Sequence, residues 1–243
     1  MVIYGINPVL EALRAGRVDA IRFAHRGDAR LSELLDAARK AGVAVRRVDA
    51  SELERAAHGG VHQGVVALLL DGGSTSVEDL VAGAAGAPLI VVLDGIEDPH
   101  NVGAILRTVD AAGADGVVRQ SRRAAPLGGA AAKASAGAVA HVKIAEVVNI
   151  ARSLEALKDA GVWTVGLAGD ATKRYDEIDY TLPTALVVGA EGGGLRRLVR
   201  ERCDWLASVP MSGHVQSLNV SVATGIVLFE ALRQRRNQAK TGP

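Results

Sequence analysis

The sequence predicts an α/β protein built on a mostly parallel sheet, and three observations predict it. Strand-like and helix-like runs alternate from one end of the 243 residues to the other, the order expected when helices cover a sheet. Beyond residue 88 the strand-like runs are almost continuously apolar, as in Leu89-Ile90-Val91-Val92-Leu93, which suits strands buried on both faces. Each of these runs is followed by a polar or glycine-rich loop and then another helix.

The first part reads as a helix over Pro8–Ala15, a strand over Ile21–His25, a helix over Leu31–Ala41 and a strand over Val43–Val48. Ser51 with Glu54 three residues on matches a capping box and opens the next helix, which leads to a strand over Val65–Leu70. From Asp71 to Pro88 the composition shifts to Gly, Ala and Ser around one short helix, Val77–Val81. This is the natural place to cut the chain, giving a first domain of residues 1–71, a linker of 72–88 and a second domain of 89–243. The second domain carries strands at Leu89–Leu93, Val162–Leu167, Ala185–Val188 and Leu206–Val209. No repeat of fixed period is visible, and Gly128–Ala140 is biased toward Ala and Gly.

With 49% hydrophobic and 23% charged residues, the chain can bury a core of its own. No apolar run approaches the roughly 20 residues of a membrane span, and the start, Met1 to Asn7, lacks the order of a secretory signal; the expectation is a cytoplasmic protein with no membrane partner. A single cysteine, Cys203, excludes an internal disulfide framework and a multi-cysteine metal cage. It ends the helix-like run Leu198-Val199-Arg200-Glu201-Arg202 and is expected to be a buried structural thiol. His58 and His62 have the i, i+4 spacing of a ligand pair, but Gly59-Gly60-Val61 between them makes a turn and no Glu follows His58, so no metal is expected. A net charge of +1 rules out binding nucleic acid by bulk attraction. Candidate basic patches are Arg119, Arg122 and Arg123; Arg196, Arg197, Arg200 and Arg202; and Arg233, Arg235, Arg236 and Lys240. Each can equally be a solvated helix face, and 3% aromatics argue against a base-stacking platform.

Ligands in open α/β sheets bind beyond the carboxyl ends of the strands, and three loops there stand out. The first runs Asp94-Gly95-Ile96-Glu97-Asp98-Pro99-His100-Asn101 and on to Arg107, with Asn101 and Arg107 close enough to share the start of one helix. Arg107 could offer a planar fork to a phosphate or be a surface arginine. The second, Gly189-Ala190-Glu191-Gly192-Gly193-Gly194-Leu195, lets a ligand approach the backbone but satisfies neither GxGxxG nor a Walker A pattern. The third, Val209 to Ala223, leads into a helix rich in small and apolar residues that is expected to be buried. Ser217 and Asn219 could cap that helix or present a hydroxyl and an amide to a site. A Gly-x-Ser-x-Gly elbow is missing, which argues against a serine hydrolase.

Together and in this order, Asp94 to Arg107, Leu186 to Leu195 and Val209 to Ala223 resemble the three motifs of the SpoU (TrmH-like) RNA ribose methyltransferases of the SPOUT superfamily, joined by Ala134-Ser135-Ala136-Gly137-Ala138. The first part, with Tyr4-Gly5-Ile6-Asn7-Pro8-Val9 and Val61-His62-Gln63-Gly64-Val65, is similar to the small L30e-like RNA-binding domain that precedes the catalytic domain in some members. The resemblance covers nearly the whole chain. It implies an α/β knot: a mostly parallel sheet whose carboxyl end is tied in a deep trefoil, a topology that general folding rules would bet against. It also implies S-adenosylmethionine as cofactor, a homodimer, and 2'-O-methylation of a guanosine ribose in the peptidyl-transferase region of 23S ribosomal RNA, free or in an assembly intermediate.

The residues carried over from the resemblance are Arg107, Asn101, Glu191, Ser217 and Asn219 as catalytic, and Gly189, Val209, Leu218, Leu167, Ala168, Gly169, Gly192 and Met211 as cofactor-binding. A guanidinium keeps its proton in almost any protein setting. Arg107 is therefore expected to clamp the phosphate beside the target ribose, with Glu191 or a phosphate oxygen accepting the proton. Gly193 stands where many relatives carry an acidic or polar residue, and only backbone flexibility should change. Two alternatives are a sister enzyme acting on transfer RNA or on another ribosomal loop, as in antibiotic resistance, and a non-catalytic RNA-binding protein.

Overall fold

The computed structural model describes residues 1–24, 29–70 and 75–241, the last two by backbone alone. The predicted strand end at His25, the domain boundary at Asp71, the start of the linker at 72–74 and the Lys240 side chain lie outside the described residues. In chain order the elements open with β1 (Val2–Tyr4), α1 (Ile6–Arg14), β2 (Val18–Phe23), α2 (Ala29–Lys40), β3 (Ala44–Arg47), α3 (Ala50–Ala56) and β4 (Val65–Leu69). Next come α4 (Val77–Ala82), β5 (Leu89–Asp94), α5 (Pro99–Ala112), β6 (Gly116–Gln120), α6 (Gly129–Ala134), β7 (Ile144–Val147) and α7 (Ile150–Asp159). The last are β8 (Trp163–Leu167), β9 (Lys173–Arg174), β10 (Thr184–Gly189), α8 (Arg197–Arg202), β11 (Trp205–Ser208) and α9 (Val220–Thr241). They form two compact units: Met1–Gly73 with Pro99–Arg107 and Ala125–His141, and Ser74–Asp98 with Thr108–Ala124 and Val142–Pro243.

In the first unit the sheet order is β1-β4-β2-β3, with β4 antiparallel to both neighbours and β2 parallel to β3. Tyr4, Leu53, Ala57 and Val66 form a local core. The two stretches that carried the RNA-binding resemblance meet here, because Gln63 Oε1 accepts the Ile6 N–H at 3.0 Å. The biased stretch after Gly128 packs in the same unit, and small residues are what allow it. A Cβ on Gly103 of α5 would sit 2.5 Å from the Ala131 carbonyl and 2.5 Å from the Ala134 Cβ, so α5 and α6 touch backbone to backbone. The helix at Ala50 corrects the capping expectation. Its N-cap is Asp49, with no side-chain cap bond, and Ser51 lies inside the first turn, where its carbonyl accepts from Arg55 Nε. A true capping box stands instead at Ser76 and Asp79, at the start of α4.

The second unit holds a seven-stranded sheet in the order β7-β6-β5-β10-β8-β11-β9, in which every recorded pairing is parallel. One face, with Ile90, Val92, Val118, Ala185 and Val187, is buried under Leu80 of α4, Leu154 and Leu157 of α7 and Val199 of α8. Arg235 of α9 anchors the other end of the chain by donating to the carbonyls of Tyr180, Ala87, Pro88 and Leu182 at 2.6–3.2 Å. Contrary to expectation, α9 is not buried throughout. Thr224, Val227, Leu228 and Ala231 are buried, whereas Val222 and Phe229 are exposed.

Candidate active site

Three parallel strands of the second unit end at one cavity. β10 delivers Val188 and Gly189, β8 delivers Leu167, and β11 delivers Ala207 and Ser208; the segments that follow each strand close around a volume of about 510 Å³. That is the size of a small-molecule pocket, roughly 300–1,000 Å³, at the strand ends where ligands bind in such sheets. The middle loop is a tight ring. Ala190 N–H donates to the Gly194 carbonyl at 3.1 Å and Gly194 N–H returns to the Ala190 carbonyl at 2.8 Å, while Gly192 (φ 75°) and Gly194 (φ 61°) occupy left-handed backbone that glycine adopts without penalty. The ring leaves no room beside Gly189, where a Cβ would stand 2.1 Å from the Gly194 carbonyl carbon.

The exit of this loop is fixed by a group the sequence reading left without a role. Asp94, the last residue of β5, is fully buried and accepts from Arg196 N–H at 2.8 Å and Arg196 Nε at 2.7 Å, with Nη2 also paired to it. An aspartate ending an otherwise apolar, doubly buried strand was the available signal, since a buried carboxylate requires partners.

Just before α9, Asn219 performs two tasks at once. Its Oδ1 caps α9 by accepting from Ser221 N–H at 2.8 Å and Ser221 Oγ, and its Nδ2 donates to Glu191 Oε1. The capping and site readings of Asn219 are therefore compatible. Among the described residues, Glu191 is the one charged residue lining the cavity. Leu167, Ala168, Gly169, Gly189, Gly192, Val209, Met211 and Leu218 all line it, together with Ser217. Asn101 and Arg107 lie on α5 in the segment that belongs to the first unit. Asn101 is buried; Arg107 is exposed and makes no ion pair among the described residues.

The run Arg196 to Arg202 is tied to carboxylates throughout, and so is the first arginine of the last run. Arg197 pairs with Glu201, Arg200 with Asp170, Arg202 with Glu155 and Arg233 with Glu230. Arg119 is buried near Glu146, and burial holds its guanidinium below the usual range. Arg122, Arg123 and Arg236 are exposed. Cys203 lies just past α8 as its C-cap, and burial pushes its thiol up to about 12. With so little thiolate at neutral pH, the native protein should react with iodoacetamide far more slowly than the urea-unfolded chain; equal rates, read by mass spectrometry, would contradict this.

Residues 88–229 match the model of the SpoU rRNA Methylase family, and residues 2–69 match the model for RNA 2'-O ribose methyltransferase substrate binding. The chain is 45% identical over 239 residues, 96% of each protein, to a Pseudomonas aeruginosa protein named 23S rRNA (guanosine-2'-O-)-methyltransferase RlmB. Among solved structures it is similar to the SpoU methyltransferase AviRb from Streptomyces viridochromogenes in complex with AdoMet, with a TM-score of 0.81, 26% identity, and coverage of 98% of this chain and 91% of that one. It is also similar to an AdoMet-bound rRNA methyltransferase from Sinorhizobium meliloti, with a TM-score of 0.77, 27% identity, and coverage of 96% and 86%.

Proposed function

The chain belongs to the SpoU rRNA methylase family, and we propose that it methylates the ribose 2'-hydroxyl of a guanosine in 23S ribosomal RNA, using S-adenosylmethionine as donor. The observation that carries this reading is the cavity at the carboxyl ends of β8, β10 and β11, walled by glycine-loop backbone and apolar side chains and holding a single carboxylate. That lining suits the cofactor: apolar walls for the adenine plane, backbone groups for its polar edges, and Glu191 for a positive sulfonium. When bound, the cofactor supplies an electrophilic methyl group. Leu167, Gly189, Val209 and Leu218 would hold it largely through their backbones, and Glu191, kept in place by Asn219, accepts the hydroxyl proton.

Arg107 clamps the phosphate beside the target ribose. The exposure of Arg107 and its lack of an ion pair among the described residues are what a phosphate clamp requires before RNA arrives. Arg107→Lys should reduce methylation of RNA about 10- to 100-fold, the equivalent of losing roughly 1.5–3 kcal/mol of charge-assisted bonding. Titration calorimetry should show donor binding unchanged, and near-wild-type turnover would remove the clamp.

In this reading residues 1–71 capture RNA, 72–88 link, and 89–243 carry the chemistry as a carboxyl-terminal trefoil knot. Val222 and Phe229, apolar and exposed on α9, favour a homodimer. The protein works in the cytoplasm, on free RNA or an assembling particle. RNA affinity should fall linearly on a log–log plot against salt as counterions are released; a flat plot would exclude phosphate contacts as its source. Mapping ribose methylation in ribosomal RNA from cells with and without the gene tests the whole assignment, and an unchanged map would remove the substrate.

A further inference from the structure

The chain has two tryptophans in a sequence only 3% aromatic, and both stand half exposed on one sheet face of the second unit. Trp163 opens β8 beside Thr184, and Trp205 opens β11 beside Val165; Trp163 and Val165 share a face because side chains alternate along a strand. The opposite face is the one that α4, α7 and α8 cover. Trp163 is 47% exposed, Trp205 41% and Leu182 45%, and the three border a cavity of about 240 Å³. Trp163 and Thr184 begin their strands, whereas the cofactor cavity gathers strand ends, so the two cavities are separate.

The charges around this second cavity are unbalanced. Glu177 and Asp179 line it, and neither makes an ion pair among the described residues. Among the described residues Glu177 accepts the Arg174 backbone N–H at 2.9 Å, while the Arg174 guanidinium turns to Asp176. Asp179 accepts from Thr181 N–H and Oγ1. The cation that lines the cavity, Lys173, is already engaged, its ammonium 3.5 Å from the centroid of the Trp205 ring.

We propose that this cavity docks an arginine side chain of a basic polypeptide partner. A guanidinium is flat enough to stack on the exposed Trp163 ring and presents paired N–H groups to a carboxylate. A compact ammonium matches only the charge. The two carboxylates repel an RNA backbone, and a space below the roughly 300 Å³ of ordinary ligand pockets suits one side chain rather than a nucleotide. Exposed tryptophan around a pocket is also the usual make-up of an interface hot spot.

Because both tryptophans border the cavity, intrinsic fluorescence of the full-length protein reports on it directly. Titration with an Arg-Gly repeat peptide should give a saturable change, with at least tenfold weaker binding of the Lys-Gly peptide and none of the citrulline version. Trp163→Leu, and separately Glu177→Gln with Asp179→Asn, should each weaken binding at least tenfold and leave methylation of naked RNA unchanged. The paired amide variant is isosteric and decides the matter if Trp163→Leu fails to fold. Equal binding of the citrulline peptide, unchanged binding by the amide variant, or a saturable change with guanosine monophosphate instead would overturn the proposal. So would sedimentation showing self-association that Trp163→Leu abolishes, since a second copy would then cover the face.

Discussion

Replacing Gly189 with alanine should weaken donor binding strongly, while the same change at Gly193, four residues on, should have almost no effect. At Gly189 the added carbon would fall 2.1 Å and 2.2 Å from the Gly194 carbonyl carbon and oxygen and 2.4 Å from Leu195 N. These are backbone atoms held by the reciprocal Ala190–Gly194 bonds, so no rotamer change relieves the clash and the ring must open. Overpacking a well-fitted site costs about 1–3 kcal/mol, which corresponds to roughly a 5- to 150-fold rise in the donor Kd if the strain is expressed at the cavity wall. Gly193 has nothing within 4 Å of its missing Cβ and no left-handed φ, so Gly193→Ala should stay within about twofold. Gly192 and Gly194 fall between, because their positive φ values cost a non-glycine residue roughly 1–2 kcal/mol. Calorimetric titration with S-adenosylmethionine measures the whole series, and equal affinities for the Gly189 and Gly193 variants would show that the ring does not shape the cavity.

The same loop marks how far the sequence could be read. β5 and β10 are legible because every residue of each is buried and no solvent-facing side interrupts the apolar run; β8 and β11 keep enough apolar residues to be read as strands although each opens on a half-exposed tryptophan. β6, with one short Val117-Val118 pair, and β7, in which Glu146 breaks the run, fall below that signal; β1 and β9 are only three and two residues long. The loops at Gly189 and Val209 can be recognised as loops, but their meeting at one cavity depends on a strand order, β5-β10-β8-β11, that follows neither sequence nor any local pattern. Long-range ion pairs are hidden for the same reason. Arg196 and Arg200 look like part of one solvated basic face when read along the chain, yet one is bonded to Asp94, 102 residues away, and the other to Asp170. Ser51 fails as a cap because the extended residue before the helix is Asp49, a backbone choice that an S-x-x-E match cannot distinguish from its own.

Removing Arg196 should destabilise the second unit more than removing the charge of its partner, although the two changes break the same ion pair. Asp94 is fully buried while the Arg196 side chain is 52% exposed, so the two groups fare differently when left alone. In Asp94→Asn the guanidinium can turn to water, and the amide oxygen can still accept the Arg196 backbone N–H that now bonds to Oδ2. In Arg196→Ala the carboxylate stays buried with that one N–H as its remaining partner, and an uncompensated buried charge costs about 3–5 kcal/mol. For a domain of this size that lowers Tm by roughly 6–20 °C. Urea unfolding followed by the fluorescence of Trp163 and Trp205, both in the second unit, gives the comparison at constant m. Because Arg196 leads directly out of the Ala190–Gly194 ring, Arg196→Ala should also weaken donor binding at temperatures well below its own transition. If Asp94→Asn proved as costly as Arg196→Ala, desolvation of the carboxylate would not be what makes this pair matter.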